Sequence, residues 1–156
     1  LKEKGIKEKL YIIGEGKERD KIEKLIEKLG LEKNILLLGK LKNPYPFFKN
    51  AKLFLHTAVS ESFGMVLIES MAFKVPVVAY DCPIGPSDIL GENNENGILI
   101  PLHDKEKYVK KVIEVLKDKN MYVKYQEKGF VKANSYSVEK VSAQLDKMLK
   151  QMLEKK

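Results

Sequence analysis

A strand–turn–helix–strand unit in the middle of the chain constrains the fold more than any other feature. The apolar run 52–56 predicts one strand, and the run 76–80 predicts another. Between them lie a short polar turn and a helix-length segment that is apolar on nearly every side and ends at Phe73. Strands joined through a helix are parallel, and helices usually cover both faces of such a sheet. The unit therefore predicts an α/β fold.

The rest of the chain continues this alternation. Two further buried strands are predicted at 9–13 and 35–38, and a short strand is predicted at 98–100. Apolar residues at helical spacing and short capped segments predict helices at 17–29, 44–51, 64–73, 87–90, 104–116, 120–133 and 137–152. Asp104 and Ser137 mark the starts of two of them. We expect a Rossmann-like parallel sheet with helices on both faces, in a single domain that spans residues 1–156.

Composition and charge exclude several classes of protein. The 156 residues, 44% hydrophobic and 33% charged, are typical of a globular chain, and no apolar run approaches the ~20 residues of a membrane span. The net charge of +7 comes from lysines that mostly alternate with glutamates, and Arg19 is the sole arginine. Nucleic-acid sites rely on clustered Arg and Lys, so this pattern argues against nucleic-acid binding. It fits solvated faces, or attraction to anionic membranes and phosphorylated ligands.

Cysteine and histidine usage narrows the chemistry further. Cys82 is the single cysteine, which excludes an intramolecular disulfide and favours a reducing cytosol. With His56 and His103 as the only histidines, a zinc site is not expected. No base pairs with Cys82 by spacing, so a nucleophilic role is not expected either, although its loop could line a pocket.

The turn before the central helix is the candidate binding site. It lies at the carboxyl edge of the predicted sheet, where open α/β sheets bind ligands. The free N–H groups of the first helical turn favour an anion, and Gly64 allows close approach of the backbone. Glu61 lies in the turn, and Glu69 is the only carboxylate in the apolar helix. Because a carboxylate accepts two hydrogen bonds, the pair suits the hydroxyl groups of a phosphate-bearing ligand.

Each candidate also has a purely structural interpretation. Glu69 either lies on a narrow exposed edge of the helix or pairs with a lysine, since burial without a partner is costly. Glu61 alone is an ordinary loop residue. His56, at the end of a strand, is more often a packing or hydrogen-bonding residue than a functional one. Asp88 either lies near the site or caps the short helix after it.

The segment Glu61-Ser-Phe-Gly-Met-Val-Leu-Ile-Glu69-Ser-Met-Ala resembles the E-x7-E signature of retaining glycosyltransferases with the GT-B fold, close to glycosyltransferase family 4. Further segments match this family in order and spacing: Leu37-Leu38-Gly39 before a short aromatic helix, Ala51–Thr57, Pro76–Tyr80, Asn96–Ile100 and Tyr136–Glu139. The collinear resemblance implies that residues 9–150 form most of the C-terminal, nucleotide-sugar-binding half of a GT-B fold.

The resemblance implies a role for each matched residue. Glu61 would contact hydroxyls of the donor sugar, as the catalytic candidate, and Glu69 would bind the ribose. The turn that meets the sugar and diphosphate corresponds to Ser62, Phe63, Gly64, Met65 and Val66. The loop whose backbone recognises the base corresponds to Lys40 and Leu41. The loop 81–88 is similar to one in transferases that build bacterial surface and lipid-linked glycans, and its candidate site residues are Gly85 and Asp88.

The resemblance also implies an activity. It is transfer of a hexose or N-acetylhexosamine from a nucleotide-diphosphate sugar, with UDP expected, to a glycan or lipid-linked acceptor with retention. No cofactor or metal is expected, because such enzymes are generally metal-independent and the chain has no Asp-x-Asp pair. The expected location is the cytoplasm, with peripheral association at the inner face of the membrane.

Two parts of the family pattern have no match. No segment before Leu10 resembles the G-R-L-x-x-x-K-G-like stretch whose cations neutralise the diphosphate, and no acceptor-binding domain is present. We therefore expect the first strand and the N-terminal domain to be missing, and residues 1–156 alone to transfer little.

Other interpretations of the chain remain open. It could be a nucleotide-binding or regulatory module without transferase activity, or a GT-B-type sugar-nucleotide epimerase. A phosphorylase would need a lysine that holds pyridoxal phosphate, and none stands out. The apolar stripe Val138–Met152 is expected to pack on the missing domain or on the sheet, with a membrane surface as a lesser alternative.

Overall fold

A computed structural model describes residues 5–154. Its elements alternate along the chain as β1 (Leu10–Ile13), α1 (Arg19–Lys28), β2 (Ile35–Gly39), α2 (Tyr45–Asn50), β3 (Phe54–His56), α3 (Met65–Ala72), β4 (Val77–Asp81), α4 (Pro86–Leu90), β5 (Ile98–Pro101), α5 (Lys105–Lys117), α6 (Lys119–Asn134) and α7 (Val138–Glu154). The chain divides into two compact units, Leu1–Phe47 and Phe48–Lys156. The single domain expected from the sequence stays a prediction.

The first unit contains a two-stranded parallel sheet and the amphipathic helix α1. Leu10 pairs with Ile35 and Tyr11 with Leu36. The expectation that β1 is buried is wrong, because Leu10, Tyr11 and Ile13 are all exposed. Two strands and one helix with a single buried residue, Ile26, offer too little apolar surface to cover such a sheet.

The second unit is built on a three-stranded parallel sheet in the order β3-β4-β5. Leu55 of β3 lies opposite Val78, and Ala79 lies opposite Leu99 of β5. The central strand β4 is buried from Val77 to Tyr80, as a continuous apolar run in a parallel sheet predicts.

Helices cover both faces of this sheet. Alternate residues of β4 point to opposite faces, which creates two apolar clusters. One cluster joins the sheet to α3, α4 and α6 through Val77, Ala79, Leu67, Met71, Ile89 and Ala133. The other joins it to α5 and α6 through Val78, Tyr80, Ile100, Tyr108, Val112 and Tyr125. The sequence-predicted parallel α/β arrangement with helices on both faces is therefore present in this unit.

Helix α7 carries an exposed apolar stripe. None of its side chains is buried, and Val138, Val141, Leu145, Met148 and Met152 are 46–78% exposed. The expectation that this stripe packs on the sheet is wrong, whereas packing on a domain outside this sequence stays a prediction. Within residues 5–154, no helix has both the length and the apolar character that crossing a bilayer requires.

Candidate functional site

Helix α3 begins at a left-handed glycine. Gly64 has φ 92° and ψ 40°, and no side chain caps the helix. Glycine adopts this conformation without the strain that a Cβ atom would add. Leu67 N–H is already bonded to the carbonyl of Gly64 at 2.9 Å, so the open donors are the amides before it. The start of α3 can thus donate backbone hydrogen bonds to an anion.

The loops that follow β3 and β4 touch each other at the carboxyl edge of the sheet. A Cβ atom added to Gly85 would clash with the carbonyl oxygen of Phe63. Only glycine, which has no Cβ atom, can approach the Phe63 carbonyl this closely. Gly85 also has a positive φ of 98°. The structure therefore brings Gly85 beside the predicted sugar and diphosphate turn.

Asp88 has a different position from the one its capping role requires. The short helix α4 begins at Pro86, its N-cap is Gly85, and no side chain caps it. Asp88 lies inside the first turn with an exposed side chain, so the capping interpretation is wrong. Its proposed place near the sugar stays a prediction.

Glu61 is held by a buried histidine. Its Oε1 lies 2.9 Å from Nε2 of His56, the last residue of β3. The His56 side chain is 7% exposed and that of Glu61 is 27% exposed. The carboxylate therefore lies at the boundary between the sheet edge and solvent. The sequence indicated both residues separately, but no local periodicity signals a contact between a strand end and the loop after it.

Glu69 is half-buried in the middle of α3. It lies one helical turn after Met65, so both side chains leave the same face of the helix. Among residues 5–154, no side chain donates a hydrogen bond to its carboxylate and no lysine pairs with it. The alternative that Glu69 pairs with a lysine is therefore not supported by the described residues. A half-buried carboxylate without a partner is available to a ligand.

The remaining residues of the turn are open to solvent or partly covered. Ser62 and Met65 are exposed, and Val66 is half-buried. The Phe63 ring meets Tyr136 edge-on, with ring centroids 5.8 Å apart. This contact anchors the turn to the segment that precedes α7.

Lys40 and Leu41 belong to the first unit, where they directly follow β2. Lys40 is exposed and Leu41 is half-buried. Gly39, just before them, has φ 69°, and a Cβ atom there would lie 2.7 Å from Oε1 of Glu15. The Glu15 carboxylate is in turn paired with Arg19 at 2.7 Å. The base-binding role of Lys40 and Leu41 stays a prediction.

Tyr108 of α5 supports the sheet beneath the site. Its hydroxyl donates to the carbonyl of Val78 at 2.7 Å and lies 3.4 Å from the carbonyl of His56. Burial is the main cause that raises the pKa of the Tyr108 phenol above its usual range. The phenol therefore stays a hydrogen-bond donor that ties the end of β3 to the central strand.

The described residues show no second chemical centre beside the candidate site. Cys82 is 1% exposed, so its sulfur does not line an open pocket. Two surface cavities, of about 640 and 260 Å³, contain none of the candidate residues. Among residues 5–154, no three His, Cys, Asp or Glu side chains are grouped as metal ligands. The expected absence of a cofactor stays a prediction.

Comparison with known proteins decides the family. The family of glycosyl transferases group 1 matches residues 1–132. The chain belongs to this family. The match covers the strand–turn–helix unit, both candidate glutamates and the loop after β2. All candidate site residues predicted from the sequence therefore lie within the matched part.

Two named glycosyltransferases are similar over most of the chain. It is 40% identical over 108 residues, 69% of its length, to the poly(ribitol-phosphate) alpha-N-acetylglucosaminyltransferase of Staphylococcus aureus (strain COL). It is 34% identical over 129 residues, 83% of its length, to the poly(glycerol-phosphate) alpha-glucosyltransferase of Bacillus subtilis (strain 168). These matches cover 22% and 19% of the two relatives, so the chain spans about a fifth of their length.

Solved structures agree with the family. The chain superposes on a crystal structure of S. aureus TarM in complex with fondaparinux, alpha-GlcNAc-glycerol and UDP, with TM-score 0.80 and 34% identity. The match covers 91% of this chain and 28% of TarM. Such neighbours are GT-B glycosyltransferases, and the predicted fold class, an α/β fold with parallel sheets flanked by helices, is confirmed.

Proposed function

We propose that this chain is the donor-binding part of a retaining glycosyltransferase close to family 4. The donor would be a UDP-hexose or UDP-N-acetylhexosamine, and the acceptor a glycan or lipid-linked glycan. The observation that carries the proposal is the half-buried Glu69, which has no partner among residues 5–154 and lies one turn after the uncapped start of α3. The activities for which the two relatives are named, N-acetylglucosaminyl transfer and glucosyl transfer, support a sugar donor of this class.

The uncapped helix start is the proposed diphosphate site. The amides of Gly64, Met65 and Val66 donate to phosphate oxygens, and the positive end of the helix dipole favours their charge. Ser62 and Phe63 complete this turn. The TarM crystals contain UDP, which supports a uridine nucleotide as the ligand to test first.

The two glutamates have separate proposed roles. Glu69 accepts hydrogen bonds from the ribose hydroxyls, because its two oxygens match two adjacent donors. Glu61 accepts from hydroxyls of the transferred sugar and shapes the face on which the acceptor attacks. Gly85 and Asp88 border the sugar, and the backbone of Lys40 and Leu41 contacts the base.

Part of the catalytic machinery belongs to residues outside this sequence. The relatives are about five times longer than the matched part. In our proposal, the acceptor site and the cations that neutralise the leaving diphosphate lie there. Residues 1–156 alone bind the donor weakly and transfer little, because that charge stabilisation is normally a large catalytic contribution.

Titration of UDP tests the ribose role of Glu69. We expect Glu69→Ala to weaken UDP binding roughly 10- to 100-fold, since hydrogen bonds to a charged group contribute about 1.5–3 kcal/mol. Binding is measured by isothermal titration calorimetry with UDP, UDP-glucose and UDP-N-acetylglucosamine.

Glu114→Ala is the matched control for this titration. Glu114 is also a half-buried helical glutamate, but it lies in α5 and pairs with Lys111 at 2.6 Å. Its substitution should leave UDP affinity unchanged. Equal affinities for the unmodified protein and Glu69→Ala, or no binding of any nucleotide, would contradict the proposal.

A further inference from the structure

A buried histidine contacts the proposed sugar-binding carboxylate from the side of the sheet. His56 is the last residue of β3, and Glu61 is in the loop that leaves this strand. The 2.9 Å contact between Nε2 and Oε1 is of hydrogen-bond length. An ionised carboxylate only accepts hydrogen bonds, so the hydrogen of the bond belongs to Nε2.

The imidazole is buried, with 7% of the side chain exposed. The ring lies 6.4 Å from the ring of Phe54, centroid to centroid, and the backbone carbonyl of His56 lies near the hydroxyl of Tyr108. Nδ1 is buried and has no hydrogen-bond partner among residues 5–154. The bond to Glu61 needs a hydrogen on Nε2, whereas Nδ1 has no acceptor to which it could donate one.

The partly exposed carboxylate of Glu61 has more conformational freedom than the buried imidazole of His56. A glutamate in a partly exposed loop samples several rotamers, and fixing it costs side-chain conformational entropy. The His56 hydrogen bond occupies one carboxylate oxygen and fixes the side chain before any ligand arrives. The second oxygen, Oε2, stays available for ligand hydroxyls.

We propose that His56 is the positioning residue of Glu61, with its Nε2–H holding that carboxylate toward the transferred sugar. The inference rests on the proposed sugar-binding role of Glu61. It assigns to His56 an effect on the sugar portion of the donor and none on the nucleotide portion. His56 itself touches neither.

Donor affinities separate this role from a general structural one. UDP lacks the transferred sugar, so the ratio of UDP-sugar to UDP affinity isolates the sugar contact. His56→Leu removes the donor and should lower this ratio about tenfold, as loss of a charge-assisted hydrogen bond implies. His56→Gln places an amide N–H near the position of Nε2 and should restore most of the ratio.

A double-mutant cycle shows whether His56 acts through Glu61. In a Glu61→Ala background, His56→Leu should cause no additional loss, because the positioned group is already absent. Val112→Ala, in the core on the α5 face of the sheet, is the stability control and should leave the affinity ratio unchanged.

Each outcome of the cycle supports or overturns the inference. An equal loss of UDP and UDP-sugar affinity in His56→Leu, or the same loss with and without Glu61, would show a structural role only and overturn it. If Glu61→Ala itself leaves the ratio unchanged, the sugar-binding role of Glu61 fails and the inference fails with it. If Glu61→Ala lowers the ratio but His56→Leu does not, only the inference fails.

A measurement on the unmodified protein does not depend on the stability of any variant. Long-range proton–nitrogen correlation in NMR identifies which ring nitrogen of His56 carries hydrogen. The inference requires hydrogen on Nε2, and hydrogen on Nδ1 alone would overturn it.

Discussion

Gly85 is the residue whose local geometry most tightly restricts the site. Its φ is 98°, and an added Cβ atom would clash with the Phe63 carbonyl oxygen, so there is no room for a side chain. Because the opposing atom belongs to the backbone, a rotamer change cannot relieve the clash. The loop after β4 and the turn before α3 therefore keep their positions together.

Substitution of Gly85 should damage both stability and binding. We expect Gly85→Ala to lower the free energy of unfolding by roughly 1–3 kcal/mol, the cost of a strained backbone position, and to weaken UDP-sugar binding through displacement of Phe63. Urea denaturation measures the first effect and calorimetry the second.

Gly16→Ala serves as the comparison for this prediction. Gly16 lacks a positive φ, and a Cβ atom there would meet nothing within 4 Å. A Gly85→Ala protein as stable as Gly16→Ala, with unchanged UDP-sugar affinity, would show that the two loops do not depend on each other.

The sequence predicts residues whose role has a local cause, but it does not predict tertiary contacts between loops. Gly64 could be predicted as a backbone-permissive start of α3, since glycine in a strand–helix turn has a local cause. The contact between His56 and Glu61 could not be predicted, because it depends on the path of a loop rather than on any repeating spacing. Gly85 matched a family loop, but its packing against Phe63 is a tertiary contact with no sequence signal.

At the scale of elements, the apolar character of α3 has a packing cause. Leu67 and Met71 are fully buried between the sheet and α6. Gly129 of α6 allows close approach, since a Cβ atom there would lie 3.2 Å from Cγ of Met71. With most of its surface covered, α3 has only a narrow face for a polar residue, and Glu69 lies on that face.

Tyr108 links α5 to the two strands that carry the site. We expect Tyr108→Phe to lower the free energy of unfolding by about 1 kcal/mol at neutral pH, because a buried hydrogen bond is lost. Chemical denaturation of the two proteins measures this difference.

The same variant should change the pH dependence of stability. The pKa of Tyr108 is raised in the folded protein, so the native state retains a proton that the unfolded chain releases near its ordinary pKa of about 10. The stabilisation from this group is therefore complete below pH ~10 and declines as the pH rises further. The stability difference between the unmodified protein and Tyr108→Phe should narrow above this pH. A difference that stays constant would contradict the assignment.

The elements differ in how far the sequence could predict them. The run 76–80 and the helix after Gly64 are continuous apolar segments with clear boundaries, and the structure has them as β4 and α3. The burial of β1 was predicted wrongly, because an apolar run shows propensity and not what covers the strand. The stripe of α7 was recognised as apolar, but its partner is not among the described residues.

At the scale of the whole molecule, the two compact units divide the candidate residues. Lys40 and Leu41 lie in the unit Leu1–Phe47, and both glutamates lie in the unit Phe48–Lys156. The family assignment covers both units.

A crystal structure of the protein with UDP would test directly whether Glu69 and the start of α3 form the nucleotide-binding site. The proposal predicts the ribose hydroxyls within hydrogen-bond distance of the Glu69 carboxylate, and phosphate oxygens at the amides of Gly64, Met65 and Val66. Glu61 should be free of the nucleotide and still bonded to His56. UDP bound elsewhere, for example in the cavity beside Asp118 and Met121, with the start of α3 unoccupied, would contradict the account.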